Sequence, residues 1–298
     1  MMRFPAVAAL LATAATVCAA AVPPAERVVT LAPHLAELAF AAGAGSSLVG
    51  VSAHTDYPEA ARSLPVVGDA FMLDQERLAL LRPDLLLAWQ SGTPAHVVDA
   101  LRGRGYRVVV IRTRGLPDVA TALRRIGALT GQAAAAGRAA ARYEQELLEL
   151  RNQWRDAAPI RVFYQVSQRP LYTVNGEHYV SELIGLCGGR NVFADLGELA
   201  PLVAEEAVLG RDPEVLLAAA VPGSEPFTVW ERWPALSANR YGNRFLVAGC
   251  RDRPRDAAAP GGGACGLQPA GHGAATARGL RPRPVACIAW QTPDPDRS

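Results

Sequence analysis

The stretch Gly131–Asp156, GQAAAAGRAAARYEQELLELRNQWRD, decides how the rest of the chain is read. It is rich in Ala, Leu, Glu and Arg, contains no Pro, and stops where Ala157-Ala158-Pro159 breaks the pattern. Those propensities over that length predict one long helix. At about 1.5 Å rise per residue it would run roughly 35–40 Å, the width of a small domain. Strand–helix alternation lies on both sides, so the first expectation is a rod joining two α/β lobes.

Before the rod, Arg27–Leu31 reads as a buried strand, followed by a helix over His34–Ala42 that Gly43 and Gly45 stop. Leu48–Ser52 is a second strand and leads into the polar loop His54-Thr55-Asp56-Tyr57-Pro58. A helix over Leu73–Leu81 precedes the strand Asp84–Trp89, apolar almost throughout, as in parallel sheets covered on both faces. Pro94–Arg102 predicts a helix, Tyr106–Arg112 a strand and Leu116–Thr130 a helix. After the rod come a strand at Ile160–Ser167, a helix at Tyr179–Cys187 and a short strand at Val192-Phe193. A helix at Val203–Leu209, a strand at Glu214–Ala219, a helix within Pro226–Leu236 and a strand at Asn243–Val247 complete the series.

The halves echo each other. Glu37-Leu38 stands before Gly43 as Glu182-Leu183 stands before Gly188. ERLALLRPDLLLA (Glu76–Ala88) likewise matches EAVLGRDPEVLLA (Glu206–Ala218). The fold class expected is α/β: two lobes with central, mostly parallel sheets joined by one long α-helix. The first lobe spans 26–130, the connecting helix 131–158 and the second lobe 159–247. Residues 248–298 are rich in Gly, Pro, Arg and Ala and carry no sustained hydrophobic period. They read either as a frame-shifted C-terminus, leaving the second lobe truncated, or as a disordered tail.

Composition bounds the function. Of 298 residues, 50% are hydrophobic and 19% charged, a globular balance. Every basic residue is Arg, the formal charge is only +2 and no Arg cluster marks a nucleic-acid surface. Residues 1–21 have a short basic start, an Ala/Leu/Val core and a small-x-small site at Ala19-Ala20-Ala21, a secretory signal peptide that implies a periplasmic protein. The rival is lipoprotein anchoring through Cys18, although Ala15-Thr16-Val17 suits a lipobox poorly. Cys187, Cys250, Cys265 and Cys287 show no metal-site spacing. Cys187 is expected to be a small buried hydrophobe, and no disulfide is inferred.

The sequence has no GxSxG, HExxH, P-loop or strand-following GxGxxG, and an enzyme is not the reading it favours. Instead His34, His54, Tyr57, Phe71, Trp89 and Tyr172 sit at strand ends or in adjoining loops, where open α/β sheets bind ligands. Trp89 is either an indole packed under a loop or a flat wall for a large planar ligand. His54 is either solvated or ligand-facing, and His34 either serves the helix N-terminus or faces ligand. Tyr57 reads as loop packing, and His96 and His178 as surface histidines.

The runs RVVTLAPHLAELAFAAGAG, GVSAHTDYPEAA and VVGDAFMLDQERLALLRPDLLLAW, with SELIGLCGGRNVF in the second half, resemble the periplasmic cobalamin-binding proteins of ABC importers. The resemblance covers roughly Arg27–Val247 and belongs to a wider cobalamin, siderophore and haem receptor group with a backbone helix, the class III periplasmic binding proteins. It implies a corrinoid as transported ligand, no cofactor, permease subunits as partners, and a monomer. It places Pro33, His34, His54, Phe71, Trp89 and Tyr172 at the ligand, with His54 standing where the family has a Tyr. His54 or His34 is then a candidate axial nitrogen. It also matches Glu76 and Glu206 to the acids, one per lobe, that dock on the transporter. Haem or a ferric siderophore in the same fold is the closest rival, although the proposed cleft loops show only Arg169 as a candidate to meet siderophore oxygens. An enzyme acting on a corrinoid or metal chelate is the rival of a different class.

Overall fold

The computed structural model describes residues 22–69, 71–219 and 223–247 and the backbone of 267–269. The predicted signal peptide, Cys18 and most of the anomalous tail lie outside the described residues. In the first lobe, β1 (Val28–Thr30), β2 (Leu48–Gly50), β3 (Leu85–Trp89) and β4 (Val108–Ile111) form one parallel sheet in the order β2-β1-β3-β4. Helices α1 (Pro33–Ala41), α2 (Gln75–Leu81), α3 (Ala95–Gly103) and α4 (Leu116–Leu129) connect and cover it. Leu85 and Leu87 point into one buried cluster and Leu86 and Ala88 into another, which is why the strand reads apolar at every position.

The rod is α5, Ala133–Gln153. At 21 residues and about 1.5 Å each it is roughly 30 Å long, shorter than expected. Gly131 adopts φ +74° before it, and Trp154 ends it as C-cap. Its first half is built into the first lobe: Ala136, Ala139, Ala140 and Tyr143 are buried with α1 and α4 residues. A Cβ on Gly127 of α4 would stand 2.2 Å from the Ala136 Cβ, so small residues on both helices set a close approach. From Glu144 onward every residue of the helix is exposed or half-buried.

The second lobe contains β5 (Ile160–Gln165), a hairpin of β6 (Ser167–Gln168) and β7 (Leu171–Tyr172), and α6 (Tyr179–Leu186). Then follow β8 (Gly189–Asn191), α7 (Glu205–Arg211), β9 (Val215–Ala219), α8 (Ser237–Arg240), β10 (Arg244–Val247) and β11 (Leu267–Pro269). The sheet runs β11-β10-β9-β5-β8, parallel except for the antiparallel β10–β11 pair. Without β11 its order repeats that of the first lobe, β8-β5-β9-β10 matching β2-β1-β3-β4.

The repetition extends to hydrogen bonds. Asp84 accepts the N–H of Arg27 (3.1 Å), whose Nε donates to the carbonyl of Leu81 (3.0 Å). Glu214 accepts the N–H of Arg161 (3.0 Å), whose Nε donates to the carbonyl of Asp212 (2.8 Å). Helices α2 and α7 each end at a left-handed residue, Arg82 at φ 44° and Asp212 at φ 40°.

Four expectations need correction. Pro226–Leu236 is not a helix but a turn, with one 3-10 segment at Thr228–Trp230. Pro226 and Pro234 resist helix there, and Trp230 is fully buried, its Nε1 donating to Gln165 at 2.7 Å. The short strand falls at Gly189–Asn191 rather than Val192-Phe193. The predicted strand Ile160–Ser167 divides into β5 and the start of the hairpin. Cys187 is buried as expected but is disulfide-bonded, with its partner cysteine outside the described residues. Spacing alone carries no signal for such a bond, whereas an oxidising export compartment favours it.

Candidate functional site

Three groups of candidate residues stand at or beside the carboxyl ends of the parallel strands. The first is centred on Trp89, the last residue of β3. Its backbone N–H donates to Thr93 Oγ1 (3.1 Å) and its indole Nε1 to Thr113 Oγ1 (3.1 Å). A Cβ on Gly92 would lie 2.2 Å from the indole, so glycine lets the ring lie over the following turn. His34 meets the indole edge-on, ring centroids 4.7 Å apart and planes at 78°. Pro33 opens α1, where its missing N–H is no loss, and holds His34 in the first turn.

His34 is a half-buried imidazole. Burial pushes its pKa down to about 4, and its Nε2 is covered by protein without a hydrogen-bond partner. Of the two candidate axial nitrogens, the exposed residue is therefore His54, which adopts φ 64° in the loop after β2.

The second group is the turn after that loop. Asp69 accepts the N–H groups of Met72 (2.7 Å) and Phe71 (2.8 Å). These bonds, with a smaller contribution from nearby His54, hold the carboxyl below its usual range. Gly68 at φ 103° bridges antiparallel to Leu73, and a Cβ there would meet the Met72 carbonyl oxygen at 2.1 Å. The turn thus presents Phe71 and Met72 at 76% and 79% exposure, hydrophobic residues left at a surface.

The third group is on the second lobe. Tyr172, at the end of β7, is exposed and bridges antiparallel to exposed Leu202. Sequence reading missed Leu202 and Met72, although each stands four residues before the matching Glu of the internal repeat. It also missed Thr113, whose role rests on a partner 24 residues away. His178, expected as a surface histidine, is the N-cap of α6: its Nδ1 accepts the Val180 N–H (3.2 Å). Burial lowers its pKa.

Glu76 and Glu206 lie in the first turns of α2 and α7 and are exposed. Among the described residues neither side chain has a hydrogen bond or ion pair, whereas the residues just before them do: Gln75 accepts from Arg104, and Glu205 pairs with Arg232. No group of three or more His, Cys, Asp or Glu able to hold a metal occurs among the described residues. No helix among them is long and apolar enough to cross a membrane.

The family model for periplasmic binding proteins matches residues 28–228. A vitamin B12-binding protein of Vibrio cholerae is 36% identical over 210 residues, covering 70% of this chain and 76% of that protein. Among solved structures, the periplasmic vitamin B12-binding protein BtuF of Vibrio cholerae superposes with a TM-score of 0.67 at 34% identity, covering 75% of this chain and 88% of its own. The periplasmic heme-binding protein HutB of Vibrio cholerae shares the fold, with a TM-score of 0.66 at 22% identity, covering 74% and 89%.

Proposed function

The chain belongs to the periplasmic binding protein family, and from that premise we propose that it captures a corrinoid and delivers it to an ABC importer. The observation that carries the ligand assignment is the Trp89 indole, fixed by Thr113, Gly92 and His34 at the carboxyl end of β3. An immobilised aromatic face suits a broad planar ligand, because little side-chain entropy remains to be lost on binding. Tyr172 and Leu202 supply apolar surface from the second lobe, and Phe71 and Met72 from the first. Few charged groups stand among them, which suits a partly apolar macrocycle better than a ferric siderophore rich in anionic oxygens.

Glu76 and Glu206 are the proposed contacts for two membrane subunits. An exposed carboxylate without a partner on its own lobe remains available to a guanidinium or ammonium on another protein, and charge complementarity then sets orientation and encounter rate. The protein works in this reading as an exported, monomeric receptor that releases its ligand unchanged. Titration calorimetry with cyanocobalamin should give saturable binding. Tight haem binding with no corrinoid heat would replace the ligand, with His54 as the exposed candidate axial residue, and conversion of the bound corrinoid would make the protein an enzyme.

A further inference from the structure

Two lobes joined by a single helix are fixed in separation but not in rotation about the helix axis, and contacts between α4 and α6 off that axis supply the missing constraint. Glu182 on α6, in the second lobe, places Oε2 2.8 Å from the backbone nitrogen of Leu116, the first residue of α4 in the first lobe. The N–H groups just before it, on Arg114 and Gly115, donate to Asp118 (2.7 and 3.4 Å). The Leu116 N–H is thus the one met by an acid from the other lobe. A carboxylate is favoured there by the partial positive charge at the start of a 14-residue helix. Gly115 makes room: a Cβ at that residue would stand 2.7 Å from the same carboxylate oxygen. Beneath the bond, Leu116, Leu183 and Leu186 are buried together, with Leu147 of α5 packed against them.

We propose that Glu182 is a clasp between the lobes, a positioning residue that fixes how the Trp89 wall and the Tyr172 wall face each other. It rests on the receptor reading above, since only a two-walled site needs its walls held in register. The bond closes a loop of 66 residues, one that includes all of α5. Rotation of one lobe against the other therefore breaks it, whereas motion within a lobe does not.

The test is made on the ligand-free full chain. Amide residual dipolar couplings from both lobes should fit one alignment tensor in the wild type and in E182Q, whose amide oxygen still accepts the bond. In E182A they should require two tensors, and the Leu116 amide should exchange at least about tenfold faster. G115A is the second variant, because its methyl meets the Glu182 carboxylate while the sequence of α6 is unchanged, and it should behave as E182A does. A single tensor with unchanged orientation in both E182A and G115A would overturn the clasp, and so would an unchanged Leu116 exchange rate. Cyanocobalamin affinity is measured in parallel and should fall severalfold in E182A. Absence of corrinoid binding by the wild type would remove the ligand assignment while leaving the tensor result to stand on its own.

Discussion

Trp89 and two of the side chains that hold it, Thr113 and His34, each make a separate prediction. Truncation to Ala removes the ligand face itself and should weaken corrinoid binding by about 1–3 kcal/mol, read by calorimetry. Thr113→Val keeps the shape but deprives the indole N–H of its acceptor. Fluorescence should report a changed Trp89 environment, with a loss of about 1 kcal/mol in folding or binding. His34 predicts a pH dependence. Its folded pKa of about 4 lies below the ordinary histidine value of about 6.5, so between those values the unfolded chain binds the proton and the native protein does not. Stability from this residue is therefore full above pH 6.5 and falls as pH drops toward 4, by at most about 3 kcal/mol. Urea denaturation of wild type and His34→Gln at pH 7 and 4.5 should show the wild type losing the larger increment, and parallel losses would place the acid sensitivity elsewhere.

Two glycines on neighbouring helices should respond in opposite directions. Gly127→Ala drives a methyl onto Ala136 where α4 and α5 approach closely, and overpacking there should cost about 1–3 kcal/mol. Gly137, inside α5, has nothing within 4 Å of an added Cβ, so Gly137→Ala should add about 0.5–1 kcal/mol from helix propensity. Thermal melts of the two variants should move apart, and a shared direction would contradict the seam. The elements legible in the sequence were those with their own period or punctuation: the Ala-rich rod, the all-apolar strands before Trp89 and Ala219, and the matched helix-Pro-strand units. The β6–β7 hairpin was not legible, because two-residue strands carry no period. The turn around Trp230 misled because its apolar residues mimic a helical face, while what fixes the chain is a hydrogen bond to Gln165, 65 residues away. Long-range partners also explain why Trp89 could be picked from its place at a strand end but Thr113 and Glu182 could not.

At the scale of the molecule, the repeated wiring of Arg27 with Asp84 and Arg161 with Glu214 gives each lobe the same frame and sets Glu76 and Glu206 at matching places on it. Charge reversal of both acids should impair uptake in cells while leaving cyanocobalamin affinity in solution unchanged, and normal uptake by the double variant would remove them from the docking surface. The two lobes are nevertheless not mechanically equal. The first half of α5 is buried in the first lobe, whereas beyond Tyr143 the helix is held by fewer contacts, Leu147 and the Arg124–Glu144 pair among them, so bending would fall mainly between Glu144 and the Trp154 cap. Equal and opposite torques applied by two identical membrane subunits would then produce unequal displacements. The first lobe and half the rod would move as one stiff body, and most of the angular travel that opens an exit would fall to the second lobe.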